Sequence, residues 1–338
     1  MKNKNPTIKD VANLCNVGIS TVSRVLNNSD KVSKDTRKKI LTVIEEIGYS
    51  PNLHARTLSS KKSFSLSLVV PDMGNQFYGM LYSTMENIMA ENNHRIIVFP
   101  LTDKISLQKI KQKTDLIYQT DSVFIASLSV NNIFKKSSIP NKKIILIDSF
   151  DERFDSVHVD NFKIGEIAAQ YLIEQSNKNS NFLLVTFKEL ENEFTSHVFS
   201  KRDAGFVSTL KKHKIKFETI YSDLFWSGGY EAIKKYFDKF PKKKLNIFTT
   251  CDMLGFGIKS YLDEIKFSPF HDYNLISVDD LPLSKVIGLT TIRQPLSEIA
   301  EASCDLYFSY LKGRKKIESI LLNSSIIKRK TWAMATYM

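Results

Sequence analysis

TIKDVANLCNVGISTVSRVLN, residues 7–27, reads as two short helices joined by a tight turn. Thr7 can cap the first helix, and Asp10, three residues on, faces the same unpaired amides. Ile8, Val11, Ala12 and Cys15 fall on one face of that helix. Asn16 sits where the chain must turn, and asparagine tolerates the left-handed conformation better than most residues. A second helix runs from about residue 19 and turns Val22, Val25 and Leu26 inward. Its outer face shows Ser20, Thr21, Ser23 and Arg24. Short hydroxyls and a guanidinium fit a DNA major groove, where they reach base edges and phosphates. A helical cap on an enzyme would show the same apolar spacing, so the neighbouring stretches decide between the two. A third helix over 33–47 follows a Ser33 cap and sets Ile40, Val43, Ile44 and Ile47 at i, i+3, i+4 and i+7. Gly48 stops it and Pro51 prevents its resumption. NLHARTLS (52–59) and Ser60-Lys61-Lys62 come next.

These residues resemble the lactose-repressor (LacI/GalR) family of bacterial transcription regulators. The matching pieces are TIKDVA at 7–12, STVSRVLN at 20–27, VS at 32–33, TR at 36–37, GYSPN at 48–52 and AR at 55–56, with Leu58 at the position of the family's hinge-helix leucine. Their fixed order and spacing make the likeness specific, and it extends over nearly the whole chain. It implies DNA contacts from Thr7, Ile19, Ser20, Thr21, Ser23, Arg24, Asn27, Ser33, Thr36 and Tyr49 in the head, and from Asn52, His54, Ala55 and Leu58 in a hinge. Leu58 would wedge into the minor groove at the centre of the site, with Asn52 and Ala55 packed nearby.

Composition agrees with a DNA-binding head on a larger body. The 338 residues are enough for two or three domains, and 42% apolar content is that of an ordinary globular chain. Of the net +12, residues 1–62 hold +7, from 12 Lys/Arg against 5 Asp/Glu, which is an electrostatic footprint for phosphate. The lysine runs at 211–216 and 242–244 read as solvent faces. Cys15, Cys251 and Cys304 are odd in number and widely spaced, as expected of a reducing compartment and not of a disulfide frame or zinc site. No apolar run approaches the ~18 residues of a membrane span, and MKNKNPTIKD lacks a signal peptide's apolar core. A cytoplasmic chain without membrane contact is expected.

After a Ser- and Lys-rich linker at 59–63, strands and helices alternate. Strands are expected at 64–70, 95–99, 122–126, 143–147, 182–187, 217–221, 245–250 and 275–278. Helices are expected at 77–92, 105–118, 162–175, 199–213, 228–240, 253–265 and 296–310, the last followed by two short strands. This spacing implies an α/β core of parallel sheets covered on both faces, and so many strands imply two lobes. The chain would cross back between lobes after the late helix. The resemblance implies the same: a periplasmic-binding-protein-like core with the ligand in the interlobe cleft. The domain expectation is a helix-turn-helix head at 1–50, hinge and linker at 51–62, and an effector-binding and dimerisation core at 63–338.

Ligands of such cores sit at strand C-terminal ends. Those ends offer Asp72 with Phe77 and Tyr78 opening the next helix, then Asp148, Asp252 beside Cys251, and Asp279-Asp280; Arg202 in KRDAGF and Gln294 complete the set. Carboxylates, one arginine and flat aromatics suit a sugar's hydroxyls and apolar ring faces. Asp252 and Asp280 could equally be helix caps, and Trp226 could line the cleft or sit in the core. The family's Arg-x-x-Gly-Phe arginine contacts the effector, which assigns that role by resemblance to Arg202, and Asp279 matches another effector position.

Several residues depart from the family pattern. Gly18 replaces a serine at the start of the recognition helix, removing one phosphate contact at a cost of only a few tenths of a kcal/mol in capping. Ile19 and Ser20 occupy base-reading positions, and isoleucine suits thymine methyls. His54 stands where smaller hinge residues are common, and Cys251 replaces an asparagine beside Asp252. SNKNSNF (176–182) stands where a Gly-His segment is usual, and ELENEFTSHVF (189–199) is atypical. No phosphate-binding lysine loop, His-Glu-x-x-His or Gly-x-Ser-x-Gly appears, and Gly255-Phe-Gly257 reads as packing. No catalytic residue, cofactor or metal is expected. The expected function is a repressor of a carbohydrate-utilisation operon. It would act as a homodimer or tetramer on a palindromic double-stranded DNA operator, switched by a small sugar or sugar phosphate. The alternatives are control by a phosphoprotein co-regulator, or a sugar-processing enzyme with a helical appendage.

Overall fold

Three helices form the first unit, and each is bounded by residues suited to end it. Helix α1 (Ile8–Cys15) starts at Thr7, whose Oγ1 accepts from the Asp10 amide while the Asp10 carboxylate accepts from the Thr7 amide at 2.8 Å. This reciprocal pair satisfies two amides the helix cannot use. Asn16 then turns the chain at φ 51°. Helix α2 (Ile19–Leu26) follows, and α3 (Lys34–Glu46) is capped by Ser33, whose Oγ accepts from the Thr36 amide at 3.3 Å. Gly48 ends that helix at φ 64°. Val11, Ala12, Cys15, Val22, Val25 and Ile40 are buried together, ringed by half-buried Val43, Ile44, Ile47 and Tyr49. Arg37 donates to the Val25 carbonyl at 3.4 Å, tying α3 to the last turn of α2.

The computed structural model describes residues 6–26, 30–49, 63–134, 139–176, 181–187, 197–223, 225–240, 244–269 and 271–329. The chain divides into two units, Met1–Ser63 and Phe64–Met338. Asn27, Pro51, Asn52, His54, Ala55 and Leu58, the hinge candidates among them, lie outside the described residues, as does most of the 189–199 loop.

The second unit holds two six-stranded sheets. Lobe one is built on β1 (Ser65–Val70), β2 (Arg95–Pro100), β3 (Ser122–Ala126), β4 (Lys143–Ile147), β5 (Asp155–Val159) and β11 (Ser319–Leu322), in the order β11-β5-β4-β3-β1-β2, all parallel. Lobe two is built on β6 (Asn181–Phe187), β7 (Phe217–Ser222), β8 (Leu245–Thr249), β9 (Tyr273–Asp279), β10 (Thr290–Arg293) and β12 (Ser325–Ile327), in the order β12-β10-β9-β8-β6-β7. Here only β12 runs antiparallel, against β10. The central strands β3, β8 and β9 are buried along their whole length, because helices cover both faces.

Helices α4 (Gln76–Glu91) and α12 (Leu296–Leu311) pack on one face of the first sheet. The other face takes α5 (Lys104–Lys111), a 3-10 turn (Leu116–Gln119) and the short α6 (Val130–Ile133). In lobe two, α7 (Asn161–Gln175) and α8 (Val198–Lys212) lie on one face, with α9 (Trp226–Lys239) and α10 (Asp252–Glu264) on the other. The short α11 (Pro282–Val286) follows β9. The chain passes between lobes after β5, after β10, and between β11 and β12.

Two expectations need correction. The helix expected over 105–118 ends at Lys111, where Lys113 takes φ 59°, and Asp115 caps a separate 3-10 turn. Strands β5 and β10 were not anticipated: DSVHV and TTIR are short and mostly polar, so neither shows an apolar run. The Gly255–Gly257 reading holds: a Cβ on Gly257 would overlap the Trp226 carbonyl, so the glycine lets α10 touch α9.

Candidate nucleic-acid interface and interlobe cleft

On the head, α2 buries Val22 and Val25 and leaves Ile19, Ser20 and Arg24 exposed, with Thr21 and Ser23 half-buried at the flanks. Ile19 stands 45% exposed, far from the usual fate of an isoleucine beside an available core. Such a surface, with an apolar end, hydroxyls and one cation, can meet thymine methyls, base edges and phosphates. The other head candidates carry structural duties. Thr7 is committed to its capping box, and Ser33 and Thr36 bond each other at 2.8 Å. Tyr49 packs half-buried against the head's core, and burial raises its phenol pKa.

In the core, strand ends from both lobes meet in one buried polar network. Asp148, at the end of β4, accepts from Ser127 Oγ at 3.0 Å and from Asn161 Nδ2 at 3.1 Å. Asn161 opens α7 just past a lobe crossing, and its Oδ1 accepts from Arg202 Nε at 2.8 Å. Arg202 also donates to the Thr250 carbonyl at 2.7 Å, and its guanidinium lies 3.6 Å from the Asp279 carboxylate. Gln294, on another crossing, donates to Asp279 at 2.7 Å. Tyr78 reaches the same group through Ser127, and its phenol pKa is raised chiefly by burial. Arg202 is only 2% exposed, so this is a cation held in the interior by polar partners of lobe two and linked to Asp148 of lobe one through Asn161.

The backbone prepares this convergence. Ser127, Asp148 and Asp279 adopt φ 52°, 51° and 120° where their strands end. Non-glycine residues in that region are uncommon and recur at ligand sites. Arg202 is placed by a close helix crossing: a Cβ on Gly165 would overlap the Arg202 carbonyl, and one on Gly205 would overlap that of Phe162. Burial raises the carboxyl pKa of both Asp148 and Asp279, and the Arg202 charge opposes that rise in each.

Of the expected cleft residues, Asp148, Arg202, Asp279, Gln294 and Tyr78 are brought together. Phe77 packs edge-on against Tyr78 in the core, ring centroids 5.3 Å apart. Asp72 accepts from the Gly74 amide in a turn after β1 and is half-buried. Trp226 is neither core nor part of the network. At 56% exposed it lies on a groove of about 580 Å³ that also takes in Gly74, Met253, Phe256 and Leu283.

Asp252 is a correction. Its carboxylate accepts from the Leu281 amide, Ser284 Oγ and Thr291 Oγ1, and it is fully buried. It braces the β9–β10 connection and caps nothing, since the cap position belongs to Cys251. Asp280 pairs with Arg293 and Arg329 and caps nothing. The Cys251 thiol is buried and pushed up to about 12 by desolvation.

Sequence reasoning missed Ser127 and Asn161. Ser127 was within reach of the strand-end rule that found Asp148. Asn161 was hidden because β5, which delivers it, had no apolar run.

Among the described residues, no group of three or more His, Cys, Asp or Glu side chains could hold a metal ion, and no helix is long and apolar enough to cross a membrane. The model for bacterial regulatory proteins of the lacI family matches residues 7–52, and that for periplasmic binding proteins and the sugar binding domain of the LacI family matches 63–266. Catabolite control protein A of Priestia megaterium is 28% identical over 326 residues, covering 94% of this chain and 96% of its own. The transcriptional regulator MalR of Clostridium butyricum is 29% identical, covering 95% and 98%. A lac repressor dimer bound to operator and the anti-inducer ONPF shares the fold with a TM-score of 0.78 at 20% identity, over 97% of this chain and 99% of that one. The regulator CelR in complex with cellobiose superposes with a TM-score of 0.65 at 20% identity, over 97% and 100%. With one family model on the head and a second over more than half of the chain, this protein belongs to the LacI family of bacterial transcriptional regulators, and is a regulator rather than an enzyme.

Proposed function

We propose that the chain represses carbohydrate-utilisation genes, acting in the cytoplasm as a homodimer on a palindromic operator and released or engaged by a small sugar or sugar phosphate in the interlobe cleft. The observation that carries the switch is the Ser127–Asp148–Asn161–Arg202–Asp279 network, a buried set of charges contributed by both lobes. A ligand hydroxyl set inserted there exchanges direct lobe-to-lobe bonds for bonded bridges, and so favours one lobe orientation by its differential affinity. Dimerisation is supported by arithmetic: one three-helix head reaches too few phosphates for tight specific binding. Two heads on a palindrome double that number, with each α2 in one major-groove half-site. Segment 52–59 then forms the paired hinge, and Leu58 wedges into the minor groove.

A thermal-shift screen of mono- and disaccharides and their phosphates tests the cleft. Stabilisation of ~2.7 kcal/mol is expected at a hundredfold excess over the dissociation constant. Operator binding tests the head. Leu58→Ala should weaken specific binding with the melt unchanged, and a dimeric head with no preference for any palindrome over random DNA at moderate salt would overturn the DNA half.

A further inference from the structure

Beside the Arg202 network lies a second cavity, of about 90 Å³, between Ser149, Phe150 and His158 of lobe one and His197 and Lys201 at the start of α8. It is several times the ~10–15 Å³ that one water requires. Two of its polar atoms, His158 Nδ1 and Ser149 Oγ, are shut off from solvent with no hydrogen-bond partner. The Phe150 ring lies 5.3 Å from the His158 ring and is 55% exposed, leaving an apolar face open at the mouth.

The charges around this cavity do not cancel. Its two carboxylates are already matched: Asp151 pairs with Arg153 at 2.6 Å, and Asp148 accepts from Ser127 and Asn161. Lys201 is exposed, and His197 caps α8 at φ 58° without a side-chain bond to the helix amides. The positive end of a fifteen-residue helix therefore lines the cavity together with the Lys201 ammonium, and the two imidazoles stand beside them as hydrogen-bonding groups. A sugar hydroxyl could satisfy His158 and Ser149, yet it would leave Lys201 and the helix end without a counter-charge. A doubly or triply accepting oxyanion answers all of them at once.

Resting on the cleft reading above, we infer that this cavity is an oxyanion subsite: the effector is a sugar carrying a phosphate or carboxylate, held by Lys201, His197, His158 and Ser149, with its ring against Phe150. The empty site keeps His158 neutral, because burial and the Lys201 charge lower its pKa, against the opposing pull of Asp148 and Asp160. An arriving anion raises it again. Binding is thus accompanied by proton uptake and tightens as pH falls towards the ordinary histidine range.

The test uses the purified full chain, with thermal shift and calorimetry against a hexose, its 6-phosphate, the matching hexuronate and inorganic sulfate. Sulfate keeps its charge across the histidine range, so its pH profile reports the protein alone. At least one charged sugar should bind at least ~10-fold tighter than the neutral hexose, about 1.4 kcal/mol. Sulfate should compete with it and bind more tightly towards pH ~6. The exposed substitution Lys201→Gln should erase most of the preference, and His158→Asn should flatten the sulfate pH profile. Which charged sugar wins separates phosphate from carboxylate. A neutral sugar that binds as well as its charged partners, with an affinity lost in Arg202→Lys and kept in Lys201→Gln, overturns the subsite and leaves the cleft reading standing. If no sugar and no sulfate shifts the melt, both fall.

Discussion

The head and the cleft hold buried groups of opposite kinds. In the head, six small apolar side chains are shut in by three helices whose ends are closed by their own neighbours: Thr7 with Asp10, Asn16, Ser33 with Thr36, and Gly48. In the cleft, an arginine and two aspartates are held by residues scattered from position 78 to position 294. The head gains stability from apolar burial and can tolerate change at its exposed face. The cleft is costly to keep closed, because charges in the interior are stable only while every partner stays in place. That difference suits the two duties proposed: a rigid reader, and a receptor whose contacts a ligand can replace.

The comparison is broken most severely at Arg202. Arg202→Met should destabilise the second unit by about 3–5 kcal/mol, since it strands Asp279 in the interior, and should abolish the effector response. Urea melts and operator titrations with and without effector check this, and the head should still bind operator. In the head, Ile40→Ala empties the middle of the small core and should cost about 2–5 kcal/mol. For so small a unit that is a large share of its stability. Operator binding should collapse while ligand stabilisation of the second unit persists.

Gly165→Ala sharpens the contrast without touching a charge. It forces α7 and α8 apart and should cost about 1–3 kcal/mol, with a larger loss of effector affinity than of stability because Arg202 moves. Thr7→Ala removes one cap and should cost about 1 kcal/mol in the head alone, measurable as a lower melting temperature of that unit.

The last contrast is in pH. Asp279 has a folded pKa raised above its unfolded value by burial, only partly offset by Arg202, so the native state binds the extra proton. Its contribution to stability is therefore greatest at low pH and declines as pH rises from the ordinary carboxylate range through the raised value. Asp279→Asn should flatten that slope in the second unit; an unchanged slope would show that Asp148 or Asp252, also raised, carries it instead.

The sequence by itself determined the head, because caps, helix periods and the outward Ile19, Ser20 and Arg24 are all written within four or five residues of one another. It also determined the succession of apolar strands and helices, and it picked out Asp148, Asp279 and Gln294 by the rule that ligands gather at strand ends, with Arg202 singled out by the family's Arg-x-x-Gly-Phe. Only the tertiary structure decided which of those ends meet. Ser127 and Asn161 join the network through partners 21 and 41 residues away, and Asp252 left it because Ser284 and Thr291, 32 and 39 residues on, close around its carboxylate. The pairing of His158 with Lys201 around a cavity likewise depends on two lobes folding against each other. Local order follows from local sterics and hydrogen bonding. The fate of a buried charge depends on every group packed against it, and those groups are brought together by the whole chain.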